Sequence, residues 1–525
     1  MKDLIIDERR FASQRGQTFL IIAVFIALFL LGVMGLATDY GQVWAHRQIV
    51  QAAADAACEA GAADLLLQYQ DPTVSTAYPQ VKLGWIGSDF NCSANTDSSP
   101  CKYAALNGYS GSNVSVSFPR RPASAPVIPA RFGTIAHPYI QVSIIDPVPM
   151  YFTRLISSNR TFNIAAKAVC GMVAVNAPVP VTVLSPTADS SLSQTGPSSI
   201  VIYGGPQKSI EVNSHSSSAL SGGGGIDLSD AGPNFSGGDI GVFGGPATNP
   251  GVRLGASGHF LSPSAPIGDP FASVLAVSPA GMPVQPSGGI GTVPYGTNGC
   301  PDSAGCTQYL PGNYTGGLSV KAGTAIFDPG VYYVNTGFAL QPLSNVRPSA
   351  KNATTAPYGT VFYLTGCNGS PPNCLSVAAT SGTGNGGGDD FALSRLTCPS
   401  GGPAYTAPPG VTPATTGNIL LAPCTGPYGT SSGQYRGILF FVDRSTSGAT
   451  ASWNGGGTFT LAGAFYAHNL GSYNDAFTVL GTPASNSLVI GNLVVDTLPM
   501  SGNSGINMQL NPNATYPVLK VELLQ

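Results

Sequence analysis

Residues 18–66 read TFLIIAVFIALFLLGVMGLATDYGQVWAHRQIVQAAADAACEAGAADLL, and the stretch changes character once, at Asp39. No charge occurs from Gly16 to Thr38. Residues 18–38, at about 1.5 Å per helical residue, are long enough to cross a bilayer. Beyond Asp39 the apolar run gives way to small residues, and eight of the sixteen residues 51–66 are alanine. Alanine is the best helix former yet buries little surface of its own, so a helix this rich in it is built to let neighbours come close. Helical character lasts until Asp71-Pro72 stops it. One helix, part in lipid and part outside, is therefore expected.

The flanks orient that helix. Lys2, Arg9, Arg10 and Arg15 precede the run and only Arg47 follows closely, which places residues 1–17 in the cytoplasm by the positive-inside rule and the bulk of the chain outside. A cleaved signal peptide is the competing reading, because GLA at 35–37 offers small residues at a cleavage position. The ten cysteines fit an oxidising compartment. Cys92 and Cys101, Cys300 and Cys306, Cys367 and Cys374, and Cys398 and Cys424 form close pairs without the twin CxxC spacing of a zinc site. Elimination leaves Cys58 and Cys170 as partners, which would dock a strand on the alanine helix.

After the helix the period changes to two. Val114, Val116 and Phe118, then Ile140, Val142 and Ile144, then Phe162, Ile164, Ala166, Ala168 and Cys170 define one apolar face of three strands. PMYFTRLI at 149–156 reads as a short helix or turn between the last two. Residues 39–177 are thus expected to form a long helix with a small α+β head. From residue 178 to 525 the texture is short β runs broken by Gly, Ser and Asn, such as SIVIYGG (199–205), DIGVFGG (239–245) and SLVIGNLVVD (487–496). Recurring runs of this kind predict a β-solenoid, or parallel β-helix, in which each coil buries its inner face on the next. A β-sandwich with long loops is the alternative.

Composition limits function. The 525 residues are 43% hydrophobic and only 9% charged, with 67 Gly, 44 Pro and a net charge of −3. No basic footprint exists for nucleic acid. The four glutamates, Glu8, Glu59, Glu211 and Glu522, are too scattered to suggest an acid–base pair. Asp389-Asp390 resembles the paired aspartates of pectin-cleaving β-helix hydrolases, but GHF at 258–260 comes before the pair and no basic triplet follows it. The same glycine-rich loop has the composition of a calcium-binding turn, with a solvated turn the simpler reading. His46, His137, His215, His259 and His468 show no HExxH spacing. No enzyme activity, metal or cofactor is expected.

The ordered set Arg15-Gly16, apolar run, Asp39, Arg47, Gln51 and an alanine run broken by Asp55 resembles the N-terminal segment of the Flp-pilus assembly, TadG-like (TadE/TadG, tight adherence) family. The resemblance covers about fifty residues, and 138–175 more loosely. It implies a single-pass protein of the bacterial inner membrane, with its bulk periplasmic or extracellular, that belongs to a pilus assembly or secretion apparatus. It also implies other pilus-assembly or pilin-like subunits as partners through the N-terminal helix, the small residues permitting close approach. Ile21 stands where a processed pilin carries glutamate, so an uncleaved anchor is expected. The β region then serves surface interaction or adhesion, with a glycan or a protein as its target. An anchored carbohydrate-binding or carbohydrate-cleaving β-helix is the alternative.

Overall fold

The computed structural model describes residues 5–71, 82–155, 160–175, 178–353, 359–367, 373–378, 380–383, 391–397, 405–423, 435–454, 456–480, 487–510 and 517–525. Its first element is one helix, α1 (Ile5–Gln70), 66 residues without an internal proline, which is about 100 Å at 1.5 Å per residue. From Phe19 to Thr38 its side chains are exposed on every side, Gly35 excepted. Among the described residues this is the one helix long and apolar enough to cross a membrane. From Val50 onward one face is covered: Val50, Ala53, Ala54, Ala57, Cys58, Ala62 and Leu65 are buried.

The covering layer is an antiparallel sheet. Strands β1 (Phe90–Cys92), β2 (Gly111–Ser117), β3 (Tyr139–Pro149) and β4 (Thr161–Val175) lie in that order. The period-two residues meet as the alternation requires, with Val114 opposite Ile144, Val116 opposite Val142, Ile140 opposite Cys170 and Ile144 opposite Ala166. All of these are buried with the alanine face of α1 in one core. A short helix, α2 (Ser99–Leu106), starts with Pro100 in its first turn and packs beside α1. Phe162 departs from the expected burial. It lies at the loop end of the β3–β4 hairpin opposite Val148, which is buried, yet is itself 53% exposed. The fifth strand comes from the far end of the chain: Val518–Leu523 pairs antiparallel with β4.

The remaining β region is dominated by parallel pairing. Its three largest sheets hold ten, eight and six strands, and the chain visits them in turn. Val181–Val183 enters the first, Leu192–Gln194 the second and Ser199–Tyr203 the third, after which Lys208–Val212 returns to the first beside Val181–Val183. The ten-stranded sheet does not follow chain order. Gly312–Tyr314, Gly330–Asn335, Thr360–Thr365, Ile438–Val442, Ala464–Ala467 and Leu493–Val495 pair successively. The last of them then pairs with Val181–Val183, after which Lys208–Val212 and Asp239–Val242 continue the sheet. The same seam joins Leu498 to Leu192 and Gly505 to Ser199 in the other two sheets.

Side chains stack along this array. Inward, Tyr314, Tyr332, Phe362, Phe440 and Phe465 form a ladder with ring centroids 5.8, 5.1, 5.2 and 5.8 Å apart. Outward, Tyr333, Tyr363, Phe441 and Tyr466 form a second, at 5.7, 5.4 and 4.4 Å. Tyr314 stacks on Tyr332 two residues out of register, while the remaining pairs are in register; such aromatic pairs each contribute roughly 0.5–1.5 kcal/mol beyond the area they bury. The outer ladder is roofed by Phe271, Val274 and Val277, from the segment that crosses between the two ends of the array. At the inner end of α1, Leu67 packs in a small cluster with Leu83 and Phe243, and Tyr473 donates a 2.5 Å hydrogen bond to Asp71 Oδ2.

Candidate membrane-proximal site

Where the apolar run of α1 ends, Asp39 turns away from solvent toward the loop between β3 and β4. The described residues of that loop include the 3₁₀ turn Thr153–Leu155, and like any helix start this has backbone N–H groups with no partner of their own. Asp39 supplies the acceptors. Its carboxylate receives the N–H of Tyr151 at 3.0 Å, of Phe152 at 3.0 Å and of Thr153 at 2.6 Å, and the Thr153 hydroxyl at 2.7 Å. Burial alone would push this carboxyl up, but the donors, Thr153 foremost, outweigh it and hold the group at about 2. One turn earlier Gly35 lies under the Phe152 ring, where an added Cβ would come within 2.8 Å of Phe152 Cγ. Glycine is therefore needed at 35 for the loop to close on the helix.

The other residues singled out in the sequence lie along the same helix. Gly16 falls in its N-terminal part. Arg47 is exposed. Gln51 Nε2 donates to Asp55 Oδ1 at 2.8 Å and to the Lys167 carbonyl at 3.2 Å, tying the helix to β4. Cys58 and Cys170 form a disulfide with a Cα separation of 5.7 Å. One turn on, Gly61 lets the Ile140 side chain sit where a Cβ would be. The close neighbour of the alanine run is thus the chain's own head. The surface left open on this part of α1 is the opposite strip of Ala45, Gln48, Ile49 and Ala52.

Three further disulfides join Cys92 to Cys101, Cys300 to Cys306 and Cys367 to Cys374, with Cα separations of 5.4, 5.6 and 4.8 Å. Cys398, Cys424, Asp389 and Asp390 lie outside the described residues.

Two polar constellations had no motif to announce them. His46 Nδ1 lies 2.8 Å from Asp146 Oδ2, which also accepts the Tyr109 hydroxyl at 3.2 Å. Burial and the Asp146 charge push that phenol up to about 12. The one sequence cue was a charge inside the apolar alternation of β3. The second constellation clamps the crossing segment to the ten-stranded sheet. Arg444 donates to the Tyr466 hydroxyl at 2.7 Å and to the Val274 and Phe271 carbonyls, and it pairs with Asp269 at 3.4 Å. Tyr466 donates to Asp269 at 2.8 Å, and Tyr363 donates to Asp443. Beside them His468 Nδ1 meets Asp496 Oδ1 at 2.6 Å. Burial would lower this imidazole, but the Asp496 carboxylate wins and raises it. Asp475 is pushed up to about 7, first by burial and then by the Asp496 charge. His468 and Asp496 are 2% and 0% exposed, so the pair lies inside the fold.

The motif residues on α1 have a counterpart among known proteins. Residues 16–64 match the family model of the putative Flp pilus-assembly TadE/G-like (Tad) domain. The Tad segment includes Gly16, Asp39, Arg47, Gln51, Asp55 and Cys58, and it ends on the turn of α1 that is buried against the head. It is 49 of the 525 residues, and it contains none of the parallel β region. None of the curated proteins and none of the solved structures compared matches the chain.

Proposed function

We propose that the chain is a membrane-anchored, non-enzymatic component of a bacterial Tad pilus assembly or secretion apparatus, and that its β region serves surface interaction or adhesion. The observation that carries this reading is the division of the Tad segment at Asp39. On one side the helix is apolar and uncovered apart from Gly35, which lies under Phe152. On the other it is clamped and disulfide-bonded to its own head. A lipid-crossing anchor that presents a rigid stalk accounts for both halves. The anchor leaves residues 1–17 in the cytoplasm and the head and β region outside the inner membrane.

The β region is a parallel solenoid in this reading. Support comes from three sheets visited in rotation, parallel pairing along each, and two aromatic ladders stacked along the array; a sandwich would be built from antiparallel sheets. Partner subunits meet the helix on the strip Ala45, Gln48, Ile49 and Ala52, because the alanine face proper is occupied. The test is a photo-crosslinking residue at Ile49 in the full chain, in cells that assemble Tad pili. Adducts with pilus-apparatus subunits are expected. Loss of those adducts while the same residue at Phe29 still labels lipid would overturn the partner strip. Glycan binding by the full chain accompanied by product release would replace the non-enzymatic reading with a carbohydrate-cleaving one.

A further inference from the structure

We propose that residues 151–154 and 160–162, at the loop end of the β3–β4 hairpin, lie in the outer headgroup layer of the membrane that α1 crosses, giving the head a second, lipid-facing contact. The proposal rests on the reading of residues 18–38 as the span, and it goes beyond that reading by assigning lipid as the occupant of a surface on the head.

Geometry sets the depth. Phe152 packs on Gly35, which is three residues inside the end of the apolar run at Thr38, or about 4.5 Å along the helix axis. If Gly35 is in the bilayer, Phe152 is at the same level. Asp39 then fixes that depth, because it holds the backbone of 151–153 by three N–H groups and a hydroxyl. An interfacial element buried by about 5–10 Å would have its rings at this level.

The chemistry of the tip suits that position. Tyr151, Phe152 and Phe162 are 51%, 45% and 53% exposed, and Tyr40 and Trp44 on the adjoining turns of α1 are 74% and 59% exposed. Aromatic residues concentrate at the lipid–water boundary, where their apolar rings and polar edges are both satisfied. The charge on the tip is of one sign: Arg154 and Arg160 are exposed, and no Asp or Glu occurs from 147 to 188. Guanidinium groups at this level would pair with anionic phospholipid headgroups. A water-exposed loop has no use for three uncovered rings beside two arginines, whereas continuity with the span supplies a partner for all five.

The test uses the full chain in vesicles of phosphatidylethanolamine and phosphatidylglycerol, doped in separate samples with lipids brominated near the headgroup or deep in the acyl chain. Tyr151→Trp and Phe152→Trp are read against the parent, so that the native tryptophans are subtracted, and Phe29→Trp reports on the span itself. The added tryptophans at 151 and 152 should emit to the blue of a water-exposed indole and lose emission chiefly to the shallow bromine, with Phe29→Trp losing it chiefly to the deep one. Tyr151→Trp leaves the Gly35 contact untouched, so it remains informative if Phe152→Trp perturbs the loop. Deep quenching of Phe29→Trp with no quenching at 151 or 152 would overturn the hairpin contact while leaving the anchor intact. Absence of quenching at 29 as well would overturn the anchor, and the hairpin proposal with it. Arg154→Gln combined with Arg160→Gln should weaken the shallow quenching of Tyr151→Trp in phosphatidylglycerol vesicles, and unchanged quenching would remove lipid charge from the account.

Discussion

Replacing Cys58 and Cys170 together by alanine should loosen the head from the stalk by a predictable amount. The bridge spans 112 residues, and in the chain-entropy treatment closing a loop of that size is worth about 4.8 kcal/mol at 25 °C. The nested Cys92–Cys101 bridge, 9 residues apart, shortens the open loop so little that the figure changes by only about 0.1 kcal/mol. Both sulfurs are buried, so their removal also opens small voids, which cost on the order of 1 kcal/mol. Cross-link and packing are therefore separable by size. The assay is amide hydrogen exchange on the full chain in detergent, following peptides from β3 and β4, with Thr360–Thr365 of the ten-stranded sheet as internal reference. Loss of the cross-link and the packing together should speed exchange of β3 and β4 by roughly ten-thousandfold while the reference is unchanged, since about 1.4 kcal/mol corresponds to a factor of ten. A change of less than about fivefold would show that only packing was lost and that the bridge does not hold the head.

Two other perturbations follow from the same structure. Asp475 titrates at about 7 in the fold against an ordinary 3.8, so between those values the folded chain keeps a proton that the unfolded chain has released, and stability falls as pH rises through that window. Asp475→Asn should flatten the fall in a thermal-unfolding series from pH 5 to 8, and an unchanged slope would assign it to the neighbouring His468 instead, whose imidazole is also raised. Leu519 on the C-terminal strand is buried in the head core, so Leu519→Ala should cost about 2–5 kcal/mol in the head. Faster exchange in β4 without change in Thr360–Thr365 would register it, and unchanged exchange in β4 would refute the role given to that strand.

The features readable in the sequence were those whose signal is local. The single change of texture at Asp39 coincides with the clamp of the helix to the head, and continuous burial of one face begins eleven residues on, at Val50. The period-two residues of β2, β3 and β4 lie on one face, and the cysteine left over at 170 pairs with the one at 58. Phe162 obeyed the same period yet stayed exposed beside the buried Val148, because periodicity says which face a residue takes and not how completely the next layer covers it. The alanine run was legible as a surface for close approach, but its composition suits a partner helix and an intramolecular sheet equally well, and the head took it. Long-range pairing was out of reach. Val518–Leu523 alternates well enough to be a strand, but nothing in it points to β4 more than three hundred residues away. The order of the ten-stranded sheet, in which Leu493–Val495 returns to Val181–Val183, is likewise invisible to a reading made run by run. Gly35 and Phe152 carried no signal apart, and their meaning lies in their contact.

The central claim is that α1 anchors the chain and leaves the head and the β region outside the inner membrane. It is tested most directly by reporters fused after Gln525 in bacterial cells. Alkaline phosphatase, which matures only in the oxidising compartment, should be active, and a cytoplasm-dependent fluorescent protein at the same site should stay dark. A dark phosphatase with a bright fluorescent fusion would put the head and its disulfides in the cytoplasm, and would contradict the anchor orientation, the hairpin contact and the proposed role together.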